Sequence, residues 1–284
     1  MSYTISQSNK RENFHRQASK EEILIMKIYE FGAKEKPEIL LLPGTCCPWT
    51  YFKNVIPGLL DYFHVLCVSY DGFDPSENTV FKSMLDETAK IEDYLKEHYN
   101  GKIYAAYGSS LGGSFVGLLI SRQKIHITHG IIGSSDLDQN NKIIAKISTK
   151  MLSPILYKAL TSDISQNKLF NFIMDKKRKD GDDYIDKFME LMSDDAIKDY
   201  SFMKKESMEN QFYSDMITPL PEQIDVPGSE IHVFYALKMG KKYRKRYLKY
   251  FKNPDIIEHN LRHEELLLDP KRWVTEVAKA CKVI

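Results

Sequence analysis

The sequence lacks long hydrophobic runs and any excess of one charge. Its longest apolar runs, Ile39–Leu42 and Phe115–Ile120, are far shorter than the roughly 20 residues that span a bilayer. We therefore expect no integral membrane association, and the polar stretch 1–20 shows no apolar core of a signal peptide. The 40 basic and 39 acidic residues leave a formal net charge of +1, which gives no argument for a nucleic-acid partner.

Cysteine is also scarce, and the histidines are scattered. Four cysteines occur, of which Cys46 and Cys47 are adjacent, and adjacent cysteines rarely bridge each other. This pattern favours free thiols and a cytoplasmic location over a disulfide framework. The sequence has no C-x-x-C pair, and its eight histidines do not cluster at the spacing of a zinc site. We therefore expect no metal.

The 284 residues, 43% of them hydrophobic, are enough for one large domain with a sizeable core. Short apolar runs alternate with amphipathic stretches, which is typical of a mostly parallel sheet with helices on both faces, an α/β fold. The predicted strands are Glu22–Phe31, Glu38–Leu42, His64–Tyr70, Lys102–Tyr107, Ile125–Ile132, Glu230–Ala236 and Asp255–Glu258. The predicted helices are Trp49–Phe63, Val80–Tyr99, Leu111–Arg122, one from Lys241, and Pro270–Cys281.

The alternation stops in the middle of the chain. Residues 139–223 show helical periodicity and no convincing strand. Because insertions in surface loops cost little stability, we predict a polar arm at 1–20, a core of 21–138 and 224–284, and a helical insertion between the two core segments.

The segment from Gly108 to Gly113 contains a candidate nucleophile. It reads G-x-S-x-G around Ser110, with a predicted strand before it and a predicted helix after it. A sharp strand-to-helix turn would place the Ser110 hydroxyl at the sheet's carboxyl edge, and the N–H of Leu111 could then face a developing oxyanion. The alternative is a serine in a packing turn, whose glycines serve only the close approach of helix and strand.

The chain resembles the α/β-hydrolase superfamily. The similarity rests on Leu41–Thr45, Val68–Phe73, Tyr107–Gly113 and the region of His263. It implies a mostly parallel sheet, and many members carry a helical cap where this chain has its insertion at 139–223.

The resemblance also implies an oxyanion hole and a base. By position, Thr45 after Pro43-Gly44 is the expected amide donor, with Cys46 next in line. The family takes its base from the loop after the last strand, which contains His259 and His263. We prefer His263, because Pro270 and the final helix follow it at the distance common in the family.

The acid is where the sequence departs from the commonest family pattern. The expected position follows the strand Glu230–Ala236, but no acidic residue occurs from Ile231 to Asn253. A minority of the family carries the acid after the preceding strand, where Asp136 stands. Asp136 could instead cap a helix, and a triad without a carboxylate is a third alternative.

Together these residues predict a serine hydrolase of a small-molecule acyl ester or thioester. Ser110, His263 and Asp136 would form the triad, and Thr45 and Leu111 the oxyanion hole, with no cofactor. A carbon–carbon bond hydrolase and a non-catalytic ligand-binding protein on the same fold stay open as alternatives. The sequence does not indicate the oligomeric state.

Overall fold

A seven-stranded sheet forms the centre of the molecule. The computed structural model describes residues 26–161, 184, 187 and 200–284, so the predicted polar arm and the middle of the predicted insertion lie outside the described residues. The strands run in the order β1-β3-β2-β4-β5-β6-β7. β1 is antiparallel to β3 and every other neighbouring pair is parallel, which confirms the predicted mostly parallel sheet. The strands are β1 Lys27–Phe31, β2 Glu38–Leu42, β3 His64–Ser69, β4 Lys102–Ser109, β5 His126–Gly133, β6 Glu230–Ala236 and β7 Asp255–His259.

Helices cover both faces of this sheet. In the described residues they are α1 Ile56–Leu59, α2 Met84–Tyr99, α3 Leu111–Arg122, α4 Lys142–Thr161, α5 Lys205–Ile217, α6 Lys241–Tyr250 and α7 Pro270–Ala280. Short 3-10 turns lie at Trp49–Phe52, Leu237–Met239 and Glu265–Leu268.

The central strands read as apolar runs because both of their faces are buried. Successive residues of β5 show this: Ile131 packs into one hydrophobic cluster and Ile132 into the other. The first cluster contains Trp273 of α7, and the second contains Phe115 of α3. The sheet is therefore sandwiched between two cores.

Two predicted helices differ from the structure, one at its start and one over its whole length. α2 begins at Met84 rather than at Val80, because the Ser83 side chain accepts the N–H of Asp86 and caps the helix there. The predicted helix Trp49–Phe63 is wrong. That stretch forms a 3-10 turn and the short α1, whose second residue is Pro57, and proline breaks a longer helix at this point.

The described part of the insertion is helical and is tied to the core. The hydroxyls of Ser207 and Ser214 on α5 accept the N–H groups of Phe81 and Met84, each at 3.2 Å. Between 139 and 223 the described residues form no strand. The described helices include none that is long and apolar enough to cross a membrane.

Candidate active site

Ser110 lies at a strained turn between β4 and α3. Its backbone has φ 50° and ψ −111°, a conformation that costs a non-glycine residue on the order of 1–3 kcal/mol. The Ser110 N–H donates to the carbonyl of Gly133 at 2.8 Å, which ties the turn to the end of β5. The side chain is half-buried at the carboxyl edge of the sheet.

The glycines on either side of Ser110 are required by close contacts. A Cβ on Gly108 would lie 2.0 Å from the carbonyl oxygen of Gly112, and a Cβ on Gly112 would lie 2.0 Å from that of Leu42. Close packing of helix on strand therefore accounts for both glycines. It does not account for a positive φ at the serine between them, which is the feature that presents a side chain at a nucleophile elbow.

A tight turn after β2 lies beside Ser110. The Cys47 N–H donates to the Gly44 carbonyl at 3.2 Å, and Cys46 inside the turn has φ 61°. A Cβ on Gly44 would lie 3.6 Å from the Cβ of Ser110. The turn that carries the predicted oxyanion donor is therefore adjacent to the predicted nucleophile.

The amides of this region differ in what they bind. The Cys46 N–H donates to Oε1 of Gln211 at 2.7 Å. Within the described residues the Thr45 N–H has no acceptor. The Leu111 N–H is the first of α3 and has no acceptor within the helix. Among the described residues, the two amides that the sequence predicts for an oxyanion hole are therefore not occupied by an acceptor.

The adjacent thiols are buried rather than reactive. Cys46 and Cys47 are free and buried, and burial raises the pKa of both well above the usual thiol range. Cys46 and Cys47 therefore act here as small apolar side chains that fill space.

His263 lies in the loop after β7. Its carbonyl accepts the Tyr184 hydroxyl at 2.6 Å, and its half-buried ring makes no hydrogen bond to any residue that the structure describes. His259 is more enclosed: its Nδ1 lies 3.4 Å from Nη2 of Arg272. Burial and then Arg272 lower the pKa of His259. Among the described residues, the ring of His263 makes no hydrogen bond with a cation, whereas that of His259 lies against Arg272.

Glu264, next to His263, anchors this loop to the elbow, and sequence reasoning missed it. Only 3% of the residue is exposed. Its Oε2 accepts the Tyr51 hydroxyl at 3.4 Å and also the hydroxyl of Ser109. Burial raises the pKa of Glu264, and the nearby His263 opposes the rise. Ser109, next to the predicted nucleophile Ser110, therefore hydrogen-bonds to Glu264, next to the predicted base His263.

Asp136 follows β5 at the same edge of the sheet. Its Oδ1 accepts the Asp138 N–H at 3.4 Å, and its carbonyl accepts Nη1 of Arg246 at 2.7 Å. No hydrogen bond among the described residues joins it to His263. Burial and then Asp138 raise the pKa of Asp136. The structure thus places Asp136 at the correct edge but does not bring it to the predicted base.

Helix α5 adds two polar side chains that the sequence did not indicate. Gln211 is fully buried and contacts the turn at Cys46. Asp215 lies one helical turn later; burial and then Asp136 raise its pKa well above the usual range, while a hydrogen bond with Ser114 opposes the rise. Their i, i+4 spacing puts both on one face of α5, but only the tertiary structure shows that this face covers the elbow.

Solved structures share this architecture. An α/β-hydrolase family protein from Desulfitobacterium hafniense has a TM-score of 0.67 at 18% identity and covers 89% of this chain and 99% of its own. A thermophilic esterase from Thermogutta terrifontis has a TM-score of 0.66 at 13% identity, covering 90% and 93%. MenH from S. aureus has a TM-score of 0.63 at 13% identity, covering 90% and 97%. Models of protein families and curated protein sequences give no match.

These comparisons define the fold of the chain. The chain has the α/β-hydrolase fold, as the sequence resemblance predicts. Identities this low establish the fold alone, and one fold supports many chemistries.

Proposed function

We propose that this protein is a serine hydrolase that cleaves a small-molecule acyl ester or thioester through an acyl-enzyme at Ser110. The observation that carries the proposal is the backbone of Ser110, which has φ 50° between two glycines that tolerate no side chain. The ψ of −111° sets Ser110 apart from an ordinary left-handed helix cap such as Asn100, which has φ 53° and ψ 29°. Strain of this kind is expected where a nucleophile is presented above a helix N-terminus.

The two chemical steps that we propose use Ser110 at the elbow and His263 in the loop after β7. His263 accepts the proton of the Ser110 hydroxyl while its oxygen attacks the acyl carbon, and the amides of Thr45 and Leu111 stabilise the oxyanion. The proton then passes from His263 to the leaving alcohol or thiol. Water hydrolyses the acyl-enzyme with His263 again as base.

For the third member of the triad we retain Asp136. It is the acid that leaves the carboxyl edge on the loop after β5, where it would fix the tautomer of His263. Catalytic hydrogen bonds in ligand-free structures are often long or poorly aligned and tighten in the substrate complex, which is the reason for retaining Asp136. Glu264 is the competing acid, because it is buried beside His263.

Labelling with a fluorophosphonate tests the proposal. We expect wild-type protein to be labelled and the Ser110→Ala variant to be inert. Ser121→Ala is the matched control, since Ser121 lies on the same helix and only donates to the Leu118 carbonyl. Equal labelling of wild-type and Ser110→Ala proteins would contradict the proposal.

A non-catalytic ligand-binding protein is the second candidate. Two observations favour it: Gln211 occupies the Cys46 amide, and the His263 ring makes no hydrogen bond to an acid in the described part of the chain. This candidate predicts that wild-type protein is labelled no faster than Ser110→Ala.

A further inference from the structure

Two buried histidines face each other at the sheet edge opposite Ser110. His129 on β5 and His232 on β6 are each 4% exposed. His129 is paired in register with Glu230, and Glu230 and His232 are two apart on one strand, so they share a face. His129 lies four residues before Gly133 at the elbow, or about 13 Å along the strand.

The three side chains converge on one point. Nδ1 of His129 lies 3.4 Å from Nε2 of His232, and Oε2 of Glu230 lies 3.7 Å and 3.8 Å from these two nitrogens. The centre of that triangle is about 2.1 Å from each atom, which is the bond length of Zn²⁺ to imidazole nitrogen and carboxylate oxygen.

The surrounding groups orient these ligand atoms. Oδ2 of Asp255 lies 3.1 Å from Nδ1 of His232. A proton on that Nδ1 leaves Nε2 with its lone pair toward the centre, as carboxylates do for histidines that bind zinc. Lys282 pairs with Oε1 of Glu230 at 2.6 Å, so Oε2 is the oxygen that faces the histidines.

We propose that His129, His232 and Glu230 bind a divalent transition-metal ion, with Zn²⁺ as the ion that fits best. Two imidazole nitrogens and one carboxylate oxygen suit Zn²⁺, whereas Mg²⁺ and Ca²⁺ prefer oxygen ligands alone. Water supplies the fourth ligand, and a small movement of the ion out of the plane of the three protein atoms gives the tetrahedral arrangement typical of Zn²⁺. The ion cross-links β5 to β6, which the insertion at 139–223 separates in the sequence, and it lies apart from the proposed active site.

The test is to measure, by calorimetry, the binding of zinc to the metal-stripped full chain. We expect one Zn²⁺ per chain, and a loss of at least about a hundredfold in affinity in His129→Gln and in His232→Gln. Asp255→Asn keeps all three ligands and should weaken binding about 10- to 100-fold. His126→Gln is the matched control, since His126 lies on the same strand outside the cluster, and it should bind as wild type does.

Two further readouts use the metal alone. Zn²⁺ should raise the unfolding temperature of wild type and His126→Gln but not of His232→Gln. Co²⁺ should give the intense visible absorption of a tetrahedral site. The proposal is overturned if wild type binds Zn²⁺ no better than His129→Gln, or if Asp255→Asn leaves the affinity unchanged. The histidines would then form only a chain of hydrogen bonds from Asp255.

Discussion

The two ends of the parallel sheet carry different kinds of buried polar group. At the carboxyl edge, Glu264 Oε1, Gln211 Nε2 and Asp215 Oδ1 are buried without a hydrogen-bond partner among the described residues. At the opposite edge, His129 and His232 are paired with each other, with Glu230 and with Asp255. An unpaired buried polar group costs about 1–3 kcal/mol, so a ligand that hydrogen-bonds these three atoms would stabilise the carboxyl edge.

Replacing the proposed nucleophile at the carboxyl edge should give the largest effect of the changes considered. Ser110→Ala should lower the hydrolysis of activated esters by at least ~10³-fold, because the acyl-enzyme can no longer form. Steady-state hydrolysis of p-nitrophenyl esters measures this. Ser121→Ala should keep wild-type activity, and an Ser110→Ala activity within threefold of wild type would contradict the assignment.

The second prediction decides between the two candidate acids. If Asp136 supports His263, Asp136→Asn should lower kcat by ~10²–10⁴ with the fold intact. The neighbouring Asp138→Asn and the distant Glu230→Gln should cost less than about threefold. Steady-state kinetics with circular dichroism as the folding check gives the answer. A loss confined to Glu264→Gln would move the acid from Asp136 to Glu264.

The third prediction concerns the packing that forms the elbow. A Cβ on Gly112 would meet the Leu42 carbonyl at 2.0 Å, and backbone atoms cannot yield cheaply. Gly112→Ala should therefore reduce the free energy of unfolding by about 1–3 kcal/mol or more. Gly117→Ala is the matched control on α3, because its nearest atoms belong to the Leu220 side chain. Urea unfolding measures the free energy of unfolding of both variants, and an equal loss in the two would contradict this explanation.

The smallest predicted effect is a pH dependence. The folded-state pKa of Asp215 is raised, by burial first and by Asp136 next, so folding favours the protonated carboxyl. Stability from this group is present below the ordinary carboxyl pKa and is lost as pH rises through the folded pKa. The free energy of unfolding of Asp215→Asn, measured in urea, should therefore fall less than that of wild type between about pH 4 and pH 8.

The exposed Asp93 provides the control for this pH dependence. Asp93→Asn should follow the wild-type curve, because its carboxyl stays in water. If Asp215→Asn also follows the wild-type curve, then Asp215 is charged in the folded protein and the buried arrangement described above is wrong.

The sequence indicated most of the fold because local signals agreed with packing. The bounds of α3 and β6 match their predictions, since glycine turns and apolar runs mark both. The stretch Trp49–Phe63 failed because its spacing resembles a helix while Pro57 interrupts it. That β1 is antiparallel had no signal in the sequence.

Within the candidate site, the sequence predicts the residue that lies in a recognisable motif and misses those that only packing brings close. Ser110 follows from G-x-S-x-G, but Gln211 and Glu264 approach it only after α5 and the loop after β7 have packed. His129 and His232 are 103 residues apart, and strand register rather than spacing brings them together. Sequence spacing therefore gave no sign of the proposed metal site.

Intact-protein mass spectrometry after fluorophosphonate treatment, with peptide mapping of the adduct, tests the central claim most directly. We predict one adduct per chain, located on Ser110, with none formed in Ser110→Ala. An adduct on Ser109, or wild-type protein that stays unmodified under conditions that label a known serine hydrolase, would contradict it.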